Sequence, residues 1–386
     1  MVIAGGGVIG SSCAYHLKHE LDFPGSVLVV EPDPGYRAAA SARSASSIRL
    51  QFSTAINIEL SAFGMQFLRD APRRFERCGA GAGVSLVEST YLYLATPAGR
   101  ATLACRAALQ REMSVPVTWH EAAALHERYP WLNTQDLAAG CDTTSGEGWF
   151  DGYGLLCALR AGAEAAGARY VKDRVIGLER CEDGRIAAVR LGERGRICCQ
   201  QALIAAGTRS RHLAAAAGID LPVFPRKRQV FVFSCQTPLR CPLVIDPSGL
   251  WFRSEHDRFL CGPPADPDPD VEPDDFEVDP ALFETTAWPL LAHRVPAFEA
   301  IRMTSAWAGH YDYNTFDQNA FVGPIPGIPN LLVAAGFSGH GIQQAPAIGR
   351  GLAEYLSFGG YRSIDLAPLS YARYLAGAPL QELNVI

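Results

Sequence analysis

The chain starts on a short apolar run, residues 1–4, that breaks at once into Gly5-Gly6-Gly7-Val8-Ile9-Gly10, and a second run, residues 27–30, ends on Glu31. Uninterrupted apolar runs of this length, bounded by glycine, predict buried parallel strands. From residue 54 to 77 the spacing becomes helical, with Ile56, Leu60, Phe63, Phe67 and Leu68 on one face. Residues 84–95 alternate and are rich in β-formers, predicting a strand at Leu92-Tyr93-Leu94. Helices are expected near 99–113 and 120–128, a turn at 147–151, and another helix over 155–166. Strands are then expected at 170–171 and 175–178, with a hairpin turn at 181–185. Residues 202–207 form a further apolar run ending in glycine. Three β-rich pieces follow at 229–233, 250–253 and 258–261. The acidic, proline-rich stretch 264–280 reads as a solvated loop. A last apolar run, from Asn330 to Ala335, passes through the glycine turn 336–341 into a helix near 342–356.

The opening pattern of strand, glycines, helix, strand and acid is a dinucleotide fingerprint, and each part has a mechanical duty. Gly5 allows the tight turn off the strand, and Gly7 lets backbone approach a pyrophosphate. Gly10 lets the helix pack close to the sheet. The helix that starts near Val8 and Ile9 offers unpaired N–H groups and the positive end of its dipole to phosphates. Glu31, at the end of the second strand, is placed to accept hydrogen bonds from ribose hydroxyls. This motif alone leaves FAD and NAD open. The later layout favours a flavoprotein, because glycine-ended strands recur near 1–10, 202–207 and 331–341 with β-rich segments between them. The expected fold is α/β, a Rossmann-type FAD-binding domain with an interleaved α+β substrate domain on an antiparallel or mixed sheet. Residues 1–50, 155–222 and 318–386 are assigned to the first domain, and 51–154 and 223–317 to the second.

At 386 residues the chain is long enough for two such domains. With 48% hydrophobic and 19% charged residues it has the balance of a globular protein with a large core. Its net charge of −6 argues against nucleic acid as a partner. No apolar stretch approaches the roughly 20 residues needed to span a bilayer. The eleven cysteines are scattered, without C-x-x-C or a His/Cys cluster, so they read as reduced thiols and no metal site is expected. No targeting presequence is visible, although a removed one would leave the same trace.

Beyond Gly5–Gly10 and Glu31, three further segments carry a resemblance to a known family. They are the loop from Ser41 to Arg49, Ala205-Ala206-Gly207, and Gly336-Phe337-Ser338-Gly339-His340-Gly341. Over essentially its whole length the chain resembles the D-amino-acid oxidase-like superfamily of FAD enzymes, which includes sarcosine and glycine oxidases and dimethylglycine dehydrogenase. That resemblance implies a small amine or amino-acid substrate, and places Gly336–Gly341, with Ile342 and Gln343, beside the flavin ring. It also implies a backbone contact from Val175 to adenine, and noncovalent FAD, since the cysteine that links flavin in sarcosine oxidases has no counterpart near Gly309-His310. Longer strings, among them 147–151, 225–228, 294–299, 307–319, 339–346 and 381–386, resemble a mitochondrial branch of the family that assists assembly of respiratory complex I. The resemblance therefore implies a mitochondrial, matrix-side location and complex I intermediates as partners.

Two departures matter for mechanism. The lysine that follows the Gly-His-Gly motif in sarcosine oxidases is here Gln343, and the arginine three residues beyond Arg49 is here Phe52. Loss of both cations removes the charge-assisted bonds expected for an amino-acid carboxylate. The candidate catalytic residues are Arg49, His340, Tyr311 and Gln343. Their plainer readings are a loop salt bridge for Arg49, a backbone role for His340 and a structural wall for Tyr311. Arg253 is expected to be a partly exposed strand residue, and Arg226-Lys227-Arg228 a solvated strand edge.

Overall fold

The computed structural model describes residues 1–384, so Val385 and Ile386 of the string 381–386 lie outside the described residues. The chain's three glycine-ended apolar runs meet in one six-stranded sheet. Its order is Phe321–Ile325, Ile328–Ala335, Ala202–Ile204, Val2–Ala4, Leu28–Glu31 and Arg169–Lys172. Neighbours are parallel except for the edge hairpin of Phe321–Ile325 on Ile328–Ala335. Ile3 lies beside Val29 and Leu203, and Leu203 beside Leu332. Both faces of these strands are covered, which is why they are apolar without alternation.

Ile3, Val29, Leu203 and Leu332 point to the face covered by helices Val8–Tyr15, Gly152–Ala165 and Gly341–Phe358. Val2, Ala4, Ile204 and Val333 point the other way, onto the three-stranded sheet Val175–Arg180, Ile186–Leu191, Gly195–Cys198 and the helix Ser210–Ala215. The helices approach closely only because small residues meet: a Cβ on Gly349 would overlap Ser12, and one on Gly162 would lie 2.7 Å from the Tyr15 ring.

The second body is an eight-stranded mixed sheet. It runs Ile301–Asn314, Val223–Cys235, Arg258–Gly262, Trp251–Glu255, Leu243–Ile245, Tyr91–Ala95, Ala139–Thr143 and Val117–Glu121. Only the Leu243–Ile245 and Tyr91–Ala95 pair is parallel. Its core is aromatic: Phe233 stacks on Phe259 at 5.2 Å, and Phe298 meets both edge-on. A small sheet of Ser47–Ile48, Glu147–Trp149 and Val87–Ser89 joins the two bodies.

Several expectations need correction. Residues 147–149 are a strand rather than a turn; the glycines on either side of the buried Glu147 disguise it, and Gly148 sits against the Val87 backbone where a Cβ would not fit. The helix expected from 120 begins at Ala122, after a strand over Val117–Glu121. The acidic stretch 264–280 is an irregular loop without a buried residue, as expected, but its aspartates are paired. Asp268 pairs with Arg226 and Arg228, Asp270 with Arg226, Asp275 with Lys227, and Asp274 with Arg209. The basic strand edge is thereby covered by the acidic strap, opposite charges having found each other across some 40 residues of sequence. Arg253 is buried at 3% exposure instead of partly exposed, stacked 4.6 Å over Trp149 and donating to the Ala45 carbonyl at 3.1 Å. Among the described residues no helix is long and apolar enough to cross a membrane.

Candidate functional site

A cavity of about 960 Å³ opens at the carboxyl ends of the parallel strands and runs to the eight-stranded sheet. Ligands of open α/β sheets bind at that edge. One end is lined by Gly5, Gly7, Val8, Ile9, Glu31, Ser41, Val175, Ala206 and Gly207, and the other by Arg49, Tyr311, Ser338, Gly339, His340, Gly341, Ile342 and Gln343. Two expected contacts, Gly10 and Gly336, are not in the wall. Gly10 packs behind it, where a Cβ would overlap the Gly5 carbonyl, and Gly336 forms the turn beneath.

The first end is shaped for a dinucleotide. Gly5 takes φ 106°, open only to glycine, where a Cβ would overlap the Ala205 carbonyl. A Cβ on Gly7 would have only Ser41 Oγ near it, at 3.9 Å, so the missing side chain leaves room at the start of the helix Val8–Tyr15. Glu31 Oε2 accepts from Gly6 N at 2.8 Å and Oε1 from Asp33 N at 2.9 Å. Burial pushes its carboxyl up. The two backbone bonds fix it at the mouth of the cavity, ready for a hydroxyl pair.

At the other end the strand Ile301–Asn314 supports the glycine turn. Asp312 Oδ2 accepts from Gly336 N at 2.8 Å, and the Asp312 carbonyl from Ser338 N at 3.1 Å. Ser338 adopts φ 50°, a left-handed conformation stabilised by its hydroxyl, which accepts from Asn314 N at 3.0 Å. Burial pushes the Asp312 carboxyl up to about 6. The turn then delivers the N-terminus of Gly341–Phe358 to the cavity wall. Tyr311 packs its ring against Gly339, whose Cβ would lie 2.5 Å away, while Arg228 sits 4.9 Å over the ring.

Arg49 and His340 are brought together. Arg49 donates through Nη2 to His340 Nε2 at 3.1 Å, and to the carbonyl of Asn384. A guanidinium only donates, so His340 accepts and is neutral, its proton on Nδ1. Burial, reinforced by the Arg49 charge, holds the imidazole down at about 3. Phe52 lies under both, 4.5 Å from the guanidinium and edge-on to the imidazole at 5.0 Å. The residue standing where a second arginine was expected thus stacks on the first.

Gln343 does not reach the cavity as a free amide. Its Oε1 accepts from Arg49 N at 2.9 Å, a bond that lysine could not replace because an ammonium has no acceptor. Gln343 is therefore a support for the Arg49 loop. Two buried carboxylates hold the rest of that loop. Glu147, fully buried, accepts from Leu50 N at 2.9 Å, Gln51 N at 3.2 Å, Tyr91 N at 2.8 Å and Thr143 Oγ1 at 2.8 Å. Glu382 accepts from Ser53 N at 2.9 Å, Ser53 Oγ at 2.5 Å, Thr54 Oγ1 at 2.9 Å and Asn57 Nδ2 at 2.9 Å. The sequence strings 147–151 and 381–386 contain them, but sequence reasoning gives neither a site role; a charged residue between glycines and one in an irregular segment carry no periodic signal.

The paired glycine turns, an acid on the second strand and a mixed-sheet cap over the cavity define a dinucleotide-dependent oxidoreductase. Residues 1–355 match the family described as FAD dependent oxidoreductase. Among curated relatives, "FAD-dependent oxidoreductase domain-containing protein 1" of Xenopus laevis is 37% identical over 423 residues, covering 100% of this chain and 84% of the relative. The glycine oxidase of Geobacillus kaustophilus is 26% identical and covers 97% of both. Its kind is also similar in fold: the crystal structure of glycine oxidase from Geobacillus kaustophilus gives a TM-score of 0.81 at 24% identity, covering 96% of this chain and 97% of that one. The L-proline dehydrogenase from P. horikoshii also gives 0.81, at 21% identity, covering 98% of both. The chain belongs to the FAD-dependent oxidoreductase family of D-amino-acid oxidase type, and its cofactor is FAD.

Proposed function

We propose that this chain is a mitochondrial flavoprotein of the matrix side that assists assembly of respiratory complex I and keeps a capacity to dehydrogenate a small amine. The observation that carries this reading is an imbalance within one cavity. The cofactor end is fully built, with Gly5, Gly7 and Glu31 in place, whereas the cations toward the other end are already engaged. Arg228 faces Asp268 at 2.7 and 2.9 Å, Arg49 is tied to His340 and Asn384, and Gln343 brings no charge. A site so arranged holds FAD well and grips an amino-acid carboxylate poorly. The likeness of the whole chain to the Xenopus laevis protein supports a role shared with that branch rather than with the oxidases.

When bound, FAD supplies the hydride acceptor for a C–N bond. The chain's own residues bind and orient it: Gly5–Gly7 and Glu31 at the nucleotide end, and the N-terminus of Gly341–Phe358 toward the ring end, where its dipole favours negative charge. Tyr311 and His340 wall the space beside it. With no lysine at 343, use of oxygen as acceptor is expected to be poor.

A second reading has a specific basis in the glycine oxidase-like fold and the intact cofactor end: a metabolic dehydrogenase of N-methyl or D-amino acids without an assembly role. Two experiments separate them. Deleting the gene and measuring complex I by native electrophoresis should show reduced complex and trapped intermediates, and the tagged protein in normal cells should co-purify with assembly intermediates. Normal complex I in the deletion sinks the assembly role. An anaerobic screen of amines and amino acids, followed by loss of the oxidised flavin band, should give slow bleaching with simple amines; rapid bleaching by sarcosine or D-amino acids establishes the metabolic reading. Import into isolated mitochondria with protection from protease tests the location.

A further inference from the structure

The Arg49 loop is completed by a segment more than three hundred residues away. Leu380–Asn384 has no regular structure, yet Glu382 is 1% and Asn384 4% exposed, while Leu383 between them is 56% exposed. Such alternation in an irregular segment marks two side chains held by specific partners. Glu382 takes the four bonds from Ser53, Thr54 and Asn57 described above, and accepts from Asn384 N at 2.9 Å. Asn384 donates through Nδ2 to the Gln51 carbonyl at 2.9 Å and receives Arg49 Nη2 on its own carbonyl. Leu380 N and the Leu380 carbonyl are fixed in turn by Asp317 at 2.9 Å and Asn319 at 2.6 Å.

Arg49 itself is 3% exposed and, among the described residues, has no carboxylate within ion-pair reach; Glu382 spends its oxygens on the loop. A buried guanidinium needs fixed acceptors. Here they are one imidazole nitrogen and one carbonyl, and the carbonyl comes from the distant segment. Without it, Nη2 keeps only His340, and the guanidinium can turn over the face of Phe52.

We infer that Glu382 and Asn384 are positioning residues of the flavin site: Glu382 anchors the segment, and the Asn384 carbonyl sets the direction in which Arg49 presents its charge to the cavity. This rests on FAD filling the cavity beside Arg49, and on neither the assembly role nor amine turnover. Neither residue lines the cavity; they act through Arg49.

The test is a double-mutant cycle on the purified, FAD-loaded full chain, without any substrate. Glu382→Ala, Glu382→Gln and Arg49→Met are compared, singly and with Arg49→Met combined with Glu382→Ala. FAD dissociation constant and flavin midpoint potential are the readouts. Glu382→Ala should weaken FAD about tenfold, the size of a lost charge-assisted bond, and move the potential in the same direction as Arg49→Met. In the Arg49→Met background the same change should add little. Glu382→Gln, which keeps an acceptor, should recover part of the effect. Equal effects of Glu382→Ala with and without Arg49, or an unchanged potential, overturn the inference. If Glu382→Ala does not fold, the cycle is run with Glu382→Gln, and the same additivity decides. A protein that fails the amine screen yet shows the coupling leaves this inference standing and removes only the catalytic reading.

Discussion

Gln343 bears most directly on how single residues in this site are to be read. Placed at the position of a family lysine, it was a candidate for chemistry. In the fold its amide oxygen holds the Arg49 backbone, so the loss of a cation is also the gain of an acceptor. Gln343→Lys should therefore not restore an oxidase. It leaves a buried N–H without a partner and puts an ammonium beside Arg49, which should cost about 1–3 kcal/mol or more. A lowered midpoint in urea unfolding, with no faster reoxidation of the reduced protein by oxygen, is the expected result.

Asp312 makes a second prediction at this scale. Its carboxyl is buried against the glycine turn and lies at about 6 instead of the ordinary 3.8. A folded-state value above the unfolded one favours the protonated form in the native protein. The advantage is complete below about pH 4 and is lost as pH rises through about 6. The gap is worth about 3 kcal/mol. Stability measured from pH 4 to 7 should therefore fall more steeply in the natural protein than in Asp312→Asn. The difference between the two curves isolates Asp312 from the other carboxylates. Parallel curves refute the assignment.

Among the elements, the strap over 264–280 is the least expected. Its aspartates neutralise the Arg226-Lys227-Arg228 strand, and Phe276 stacks on His310 at 4.4 Å under Arg43 at 4.1 Å. Pro263, Pro264, Ala265, Pro273 and Asp274 of this region line the cavity. Asp268→Asn removes the partner that Arg226 and Arg228 share, at positions about one-fifth exposed. A loss of roughly 1 kcal/mol should speed FAD release about fivefold, and added salt should have the same effect on the natural protein. Release followed by the rise of flavin fluorescence measures both.

The elements also separate what was legible in the sequence from what was not. The parallel strands were legible because burial on both faces makes their composition uniform, and the helix Ala55–Arg74 because one face is apolar. Both glycine turns were legible because positive φ and close approach exclude other residues. The strand Glu147–Trp149 was hidden, since its role is to carry one carboxylate inward and not to present an apolar face. Partners far apart in sequence, such as Glu382 with Ser53 or Asp268 with Arg228, have no local pattern at all. They arise only when segments distant in sequence are folded against each other.

For the whole molecule, cofactor and fold are thermodynamically linked. FAD binds the assembled cavity and not the unfolded chain, so at a hundredfold excess over its dissociation constant it should add about 2.7 kcal/mol. Melting curves with increasing FAD should climb accordingly, and Glu31→Ala should flatten the rise without abolishing the fold. A melting point indifferent to FAD contradicts the cavity described here.

The central strand Val2–Ala4 has a consequence in time. It comes early in the chain, yet its neighbour on one side is Ala202–Ile204, and the far wall of the cavity is made by Gly339–Gln343. A nascent chain of two hundred residues has the phosphate turn but lacks the Gly339–Gln343 wall. Flavin can be retained only by a chain synthesised past the last glycine turn. The yellow colour of the protein thus reports that the last glycine turn has been made and folded, and chains truncated before residue 341 should be colourless however well their first half folds.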